Sequence, residues 1–365
     1  MFPDANMPGV EASEQITPAE LRLAARNHGM PLEALRLTVT PPGLHYVLTH
    51  SDIPVVDPTT WRLSIGGHVR RPLQLSLEEL RALPRITVTV TLECAGNGRA
   101  LLSPRPVSQP WLLEAVGTAE WTGVPLASIL DRASPGVGAV DVSFRGMDRG
   151  VEDGRTQNFE RGLSLAEASA PGVVVADEMN GRPLPAQHGF PLRLVVPGTY
   201  GMASVKWLDL ITVHDRSFEG YQNATAYRLR ASEDDPGEPL SRMSPRALVI
   251  PPGVPEFPSR VRHVRPGRVT LRGRAWSGWG RVIRVDVSDD GGRSWAKAAV
   301  GEPPGPYAWA PWAFEWDVGE GEHELCCRAT DETGRTQPLE PSWNAGGYAN
   351  NEVQRIRVVA QADRD

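Results

Sequence analysis

Cys94 lies within the run ThrValThrLeuGluCysAlaGlyAsnGlyArg, residues 89–99, and is the only cysteine before residue 326. Val88, Val90 and Leu92 alternate with Thr87, Thr89, Thr91 and Glu93, the period of a half-buried strand that ends at the thiol. The AlaGlyAsnGly that follows lets other groups approach the backbone closely, and Arg99 brings a permanent cation near the sulfur. That setting favours the thiolate, which is the form that acts as nucleophile or metal ligand. A small buried core residue is the competing reading, since free cysteine packs as a hydrophobe. The glycines and the arginine favour chemistry.

Other signals narrow the chemistry by exclusion. The three cysteines include the adjacent pair Cys326 and Cys327, so no disulfide framework is expected, and CxxC, CxxCH and HExxH are all missing. Gly96-Asn97-Gly98-Arg99-Ala100-Leu101 lacks the third glycine of a dinucleotide fingerprint, and no GxxxxGK(S/T) loop occurs. A net charge of -6 argues against nucleic acid as partner. No apolar run approaches membrane-spanning length. The N-terminus, MFPDANMPGVEASEQ, has no basic start, apolar core or twin arginine, which predicts a cytoplasmic protein, or a periplasmic one had a leader been removed. In a cytoplasmic protein the sequon Asn223-Ala224-Thr225 carries no meaning.

With 365 residues the chain has room for two or three domains. Thr17-Pro18-Ala19-Glu20 predicts a capped helix to about Asn27 that packs Leu21, Leu23 and Ala24. Strands are expected at 61–67, 140–144, 172–176, 191–196 and 207–214, with short helices from Ser76 and Leu126. The first part is thus a mixture of strands, short helices and loops, with 36 glycines and 34 prolines in the whole chain. Such irregularity suits a scaffold for a large cofactor.

Acidic and proline-rich stretches at 233–239 and 251–255 mark a change of style. Beyond them the pattern predicts only strands, at 269–275, 282–288, 295–300, 312–316, 322–330 and 353–359, with Asp289-Asp290-Gly291-Gly292 as a hairpin turn. Further acidic ligands at calcium-loop spacing are absent. The regular spacing is that of an immunoglobulin-like sandwich. Seven of the 11 tryptophans fall here, an excess that predicts an apolar contact beyond the sandwich's own core. The arginines from Arg260 through Arg284 read as a solvated strand face, and Cys326 and Cys327 as one inward and one outward residue without a role.

These motifs together resemble the molybdenum-dependent sulfite oxidase family. LeuGluCysAlaGlyAsnGlyArg is similar to the family's cysteine loop, residues 117–126 to the stretch after it, and residues 177–198 with 204–207 to its pterin-binding core. GlyArgAlaTrpSerGlyTrpGly, AspValSerAspAspGlyGlyArgSerTrp and TrpAsnAlaGlyGlyTyr are similar to markers of its second domain. The resemblance implies an α+β molybdopterin-binding domain of mixed sheets and short helices over 45–240, after an N-terminal segment 1–44. An all-β immunoglobulin-like dimerisation domain follows over 245–362. It implies molybdenum and molybdopterin as cofactors, with Cys94 as the one protein ligand to the metal. His50, Asp148, His188, Arg193, Ser204 and Lys206 take cofactor-binding places on the matching motifs. Singly, each reads as well as a turn cap, a loop brace or a strand-face charge.

For the substrate, Arg99 and Trp111 match two positions that surround the anion in sulfite-oxidising members. Phe159 aligns where those members carry a tyrosine, and Leu48 and Gly346 where they carry arginines. Two lost cations and a lost hydroxyl argue against a dianion such as sulfite. Glu160 and Arg161 are candidates for partial compensation. The resemblance implies two-electron oxygen-atom transfer on a small oxyanion, or in reverse on an S-oxide or N-oxide. No haem motif is present, so an external electron acceptor or donor is expected, and a homodimer through the second domain. A cofactor-free binding protein on the same scaffold is the alternative from another class. The retained thiol speaks against it.

Overall fold

The computed structural model describes residues 16–232 and 234–362. Residues 1–15, which open the expected N-terminal segment, Glu233 of the acidic stretch, and residues 363–365 lie outside the described residues.

Helix α1 (Pro18–Arg26) starts where its capping box predicts, with Thr17 and Glu20 bonding each other's backbone N–H. Its packing differs from expectation. Leu21 and Leu23 are exposed, as is Ala24, and the buried residue is Glu20, which pairs with the equally buried Arg105. An ion pair, rather than a leucine stripe, seats this helix.

The first part of the chain builds two sheets. β1 (Arg62–Gly67), β2 (Leu73–Ser76), β5 (Asp141–Glu152), β6 (Arg155–Ser164) and β10 (Leu208–His214) form one, in the order β2-β1-β10-β5-β6. β3 (Ile86–Glu93), β4 (Val116–Pro125), β7 (Val174–Met179) and β8 (Arg182–Pro183) form the other, with β9 (Arg193–Val195) also paired to β7. Short helices α2 (Leu77–Arg81) and α3 (Leu126–Ala133) connect them as predicted, α2 through a Ser76–Glu79 capping box. The β5–β6 hairpin was not expected as such, although Asp153 and Gly154 at its turn both take the positive φ of a hairpin connection.

The second part is a two-sheet sandwich. One sheet aligns strands 246–249, 267–276, 310–318 and 299–300, and the other centres on 354–360, 321–331 and 282–288. The expected strand 295–300 divides at Ala298 and contributes to both sheets. Val285, Leu325, Trp312 and Trp316 are among the residues that fill the space between them. The expected order, an α+β part followed by an all-β sandwich, is the one observed.

β3 is buried on both faces at its C-terminal end, not half-buried. Val90, Leu92 and Cys94 face one cluster with Trp111 and Trp121. The Thr91 and Glu93 end of the other face, which alternation assigned to solvent, is covered by the sandwich. Thr91 Oγ1 accepts from the Trp309 N–H (2.8 Å), and Glu93 carries the ion pair to Arg246 (2.9 Å) and accepts from Trp276 Nε1 (2.8 Å). Arg246 Nε meets the carboxylate at ionic distance without hydrogen-bond alignment.

The tryptophan excess finds its use at this seam. Trp276 and Trp309 sink into the core of the first part, and Trp279 and Trp343 are the exposed ones. Two of the arginines expected in solvent are also buried. Arg274 donates to the Leu35 carbonyl (2.8 Å) and lies over Trp309, and Arg262 donates to the carbonyls of 251–253. Cys326 and Cys327 are both buried, because Arg355 reaches across Cys326 on the outer face.

The seam's stability should hinge on Glu93. Breaking a buried ion pair from one side costs about 3–5 kcal/mol, and replacing both charges by apolar groups costs far less. Glu93→Ala is therefore expected to lower unfolding free energy by roughly that amount in urea titration, and Glu93→Leu with Arg246→Met to recover most of it.

Candidate active site

The end of β3 and the loop after it place the thiol. Gly98 takes φ 90°, and a Cβ on Gly96 would lie about 2.6 Å from the Arg99 guanidinium, so glycine at 96 is what lets that cation fold back beside the cysteine. Asn97 fixes the loop by donating to Glu93 (3.0 Å) and accepting from the Ala115 N–H (3.1 Å).

Cys94 opens on a cavity with about 690 Å³ of empty space, part of it open to solvent. Of the residues singled out in the sequence, His50, Asp148, Phe159, His188, Arg193, Ser204 and Lys206 line that same cavity, and so does Leu48. They come from five separate parts of the chain. Arg99 and Trp111 lie beside the thiol and are not among the residues that line this cavity. Arg99 donates Nε to the Gly346 carbonyl (3.1 Å) and Nη1 to that of Gln109 (3.3 Å), with its guanidinium over the Tyr348 ring. The Trp111 indole N–H lies beside the sulfur and helps draw its pKa down, but outside hydrogen-bond geometry, so it has no acceptor.

The electrostatics correct one expectation. Arg99, the Gly96 N–H and Trp111 do favour the thiolate of Cys94, yet burial dominates and the thiol's pKa is raised. Burial likewise lowers His50 and His45 to about 4 and His188 to about 2, so the histidines are neutral. His50 lies deep among protein atoms and shows its exposed surface to the cavity. Burial, with Arg193 adding to it, lowers Lys206 to about 7. Asp148 is raised to about 6 by burial against the pull of Lys206.

The cations are held by carbonyls. Lys206 Nζ donates to Leu48 O (2.8 Å) and Gln187 O (3.0 Å), and Arg193 to His188 O (3.1 Å) and Ser204 O (3.0 Å). Among the described residues neither they nor Arg99 have a carboxylate within ion-pair distance. Ser204 accepts from the Val196 N–H, and His188 faces the Pro42 carbonyl (3.0 Å).

Three groups near the site were missed in the sequence. Tyr227 lines the cavity with its hydroxyl 3.0 Å from His50 Nε2, so a phenol is present where Phe159, stacked on His50, has none. Only the three-dimensional proximity reveals it, since the stretch 217–230 carries no motif. His45 lines the same cavity, buried, with Nε2 unpartnered. Tyr348 packs against Tyr227 at 5.2 Å. Arg161 does not reach the cavity; it sits over the Tyr227 ring and is spent on the carbonyls of Gln222 and Leu240, and Glu160 accepts from Ser143.

A large polar anionic group bonded through one protein thiolate fits these walls. Unpaired cations and unsatisfied donors converge with a single sulfur, and among the described residues no cluster of three histidine, cysteine or acidic side chains offers a metal a protein-only site.

Comparisons with known proteins agree with that fit. A family model for the oxidoreductase molybdopterin binding domain matches residues 50–222, and one for the Mo-co oxidoreductase dimerisation domain matches 249–361. The chain is 37% identical over 338 residues to the mitochondrial sulfite oxidase of Macaca fascicularis, covering 88% of this chain and 61% of that protein. It is 39% identical over 335 residues to the sulfite oxidase of Gallus gallus, covering 87% and 72%. The chain thus spans about three fifths of the length of its mammalian relatives from macaque and human. Among solved structures it is similar to the sulfane dehydrogenase SoxCD from Paracoccus pantotrophus, at TM-score 0.78 and 26% identity over 100% of this chain and 95% of that one.

The buried histidines make acid stability a test of the site. His45, titrating at about 4 in the fold against 6.5 outside it, binds its proton later in the folded state. Stability is therefore lost as pH falls from about 6.5 to 4, by about 3 kcal/mol for this group. Cofactor-free protein is expected to show that fall in urea titrations across the window, and His45→Gln to flatten its slope by about one proton.

Proposed function

Since this chain belongs to the sulfite oxidase family of molybdopterin-binding oxidoreductases, we propose that it catalyses a two-electron oxidation of a small sulfur compound of low charge. The electrons pass to an external acceptor. The observation that carries this reading is the single thiol of Cys94 at a cavity whose cations, among the described residues, have no carboxylate within ion-pair distance.

When bound, the molybdenum cofactor supplies the two-electron change and an exchangeable oxygen. Everything else falls to the chain's own groups. Cys94 must give up its proton to bind the metal, which restores the charge that burial opposes. Lys206 and Arg193 hold the pterin's anionic end, and His45, His50, His188, Ser204 and Asp148 offer neutral or polar partners around it. Arg99, immobilised between the Gly346 and Gln109 carbonyls, orients a polar oxygen on the substrate without having to be ordered first. Tyr227 keeps its proton at Oη, because burial raises its pKa, and its hydroxyl shares a hydrogen bond with His50 Nε2.

The low charge of the substrate follows from what stands near the thiol. Leu48, Phe159 and Met202 are apolar cavity walls. The Gly346 position has no room for a side chain, since a Cβ there would lie about 2.5 Å from the Tyr348 ring. One fixed guanidinium is then the chief cation on the substrate side, too little for a desolvated dianion. The structural likeness to a sulfane dehydrogenase points the same way.

A homodimer through the second part is proposed on its match to a dimerisation domain. Exposed Val254, Phe257 and Ile283 offer apolar surface there. Light scattering at micromolar concentration should give twice the chain mass, and Phe257→Asp should lower it.

Protein made in a host that assembles the cofactor is expected to contain about one molybdenum per chain, and Cys94→Ser to lose turnover. With ferricyanide as acceptor, sulfite should be a poor substrate beside sulfane-sulfur compounds, and with reduced methyl viologen as donor, sulfoxides should not be reduced. Leu48→Arg should lower the KM for sulfite on the order of tenfold, as one added charge-assisted contact does. High sulfite turnover by the unaltered chain would refute the low-charge reading.

A further inference from the structure

Asn27 lies outside both matched family regions, at the end of α1, and its buried side chain spends its hydrogen bonds between two segments that carry site residues. Nδ2 donates to Gln109 Oε1 (3.0 Å), and Oδ1 accepts from the Thr49 N–H (2.8 Å) and hydroxyl (3.3 Å). Gln109 and Thr49 are themselves buried. The Gln109 carbonyl accepts from both Arg99 Nη1 (3.3 Å) and the Trp111 N–H (3.0 Å). Thr49 immediately precedes His50.

We infer that Asn27 is a positioning residue that sets the distance between the segment carrying His50 and the one carrying Arg99 and Trp111. An amide suits the place because it donates and accepts at once, so one side chain links an acceptor on one segment to a backbone donor on the other. Alanine would leave the Thr49 N–H and the Gln109 amide buried and unpaired, and both segments would relax independently. The same stretch of chain is fastened at a second point by the buried Glu20–Arg105 pair, whose arginine belongs to the Arg99–Trp111 loop. α1 is thereby a brace for that loop, which accounts for a helix seated by a carboxylate while its leucines face solvent.

The catalytic consequence rests on the oxidoreductase reading above; the mechanical one does not. Full-length, metal-loaded Asn27→Ala is expected to raise the KM for the best substrate of the sulfur panel about tenfold, with kcat per molybdenum within about twofold. Hydrogen–deuterium exchange should speed up in both 45–52 and 99–111 and stay unchanged in the sandwich strand 282–288. Asn27→Asp should restore near-normal KM, because the Gln109 amide can turn to donate to the carboxylate. Asn27→Asp with Gln109→Glu should lose it again, with two acceptors facing each other. Unchanged KM, or faster exchange confined to 18–30, overturns the inference. Faster exchange everywhere, with kcat and molybdenum content falling together, overturns it too by reducing Asn27 to a stability residue. If the unaltered chain oxidises nothing in the panel while both segments still loosen together, the brace stands and the proposed activity falls.

Discussion

A carboxylate one residue before the thiol holds the two halves of this protein together. Glu93 is buried between β3 and the sandwich and meets Arg246 and Trp276 from the second part and Asn97 from the cysteine loop. A carboxylate in that position is tolerable only while all three partners remain, since an isolated buried charge is among the costliest features a fold can carry. Asn97 passes the constraint on to the Ala115 N–H, so the backbone on both sides of Cys94 is pinned by the same network. The sandwich is therefore part of the site's framework as well as a neighbour of it.

The cavity in front of the thiol shows the opposite bookkeeping. Its histidines are kept neutral and its lysine is depressed to about 7, because burial, with Arg193 nearby, outweighs the attraction of Asp148. Carbonyl oxygens hold Lys206 and Arg193 in place but neutralise neither. Such an arrangement is expensive on its own and becomes favourable around an anion that brings its charge ready-made, the usual sign of a site built for a ligand.

Much of this was legible in the sequence wherever the cause was local. The capping boxes at Thr17 and Ser76, the strand into Cys94 and the glycine turn at 291–292 follow from short-range backbone chemistry, and the structure has all of them. What failed were judgements about which face a residue presents. Thr91 and Glu93 carry the polar half of an alternating pattern, and alternation cannot tell solvent from a polar partner that lies roughly two hundred residues away in the chain. The same blindness put Leu21 and Leu23 inside, where the helix instead buries Glu20; the tryptophan excess did point to a contact beyond the sandwich, and Trp276 and Trp309 make it at the seam between the two parts. Motif matching gathered His50, His188, Arg193, Ser204 and Lys206 around one cavity, yet it had no handle on Tyr227, whose neighbours in sequence carry no pattern, and it passed over His45 beside a matched segment.

Arg99 draws these threads into one physical argument. A guanidinium in water has every rotamer available and a strong hydration shell, so a substrate would have to order and strip it before using its charge. Here Gly96 leaves room for it against the backbone, the Tyr348 ring covers one face, and two carbonyls fix its direction. One of those carbonyls comes from Gly346 in the second part and the other from Gln109 in the first. The cation's direction is thus an interdomain property: any shift of the sandwich relative to β3 would rotate the charge away from the thiol. A seam as densely bonded as the one around Glu93 is what a site with preorganised electrostatics requires.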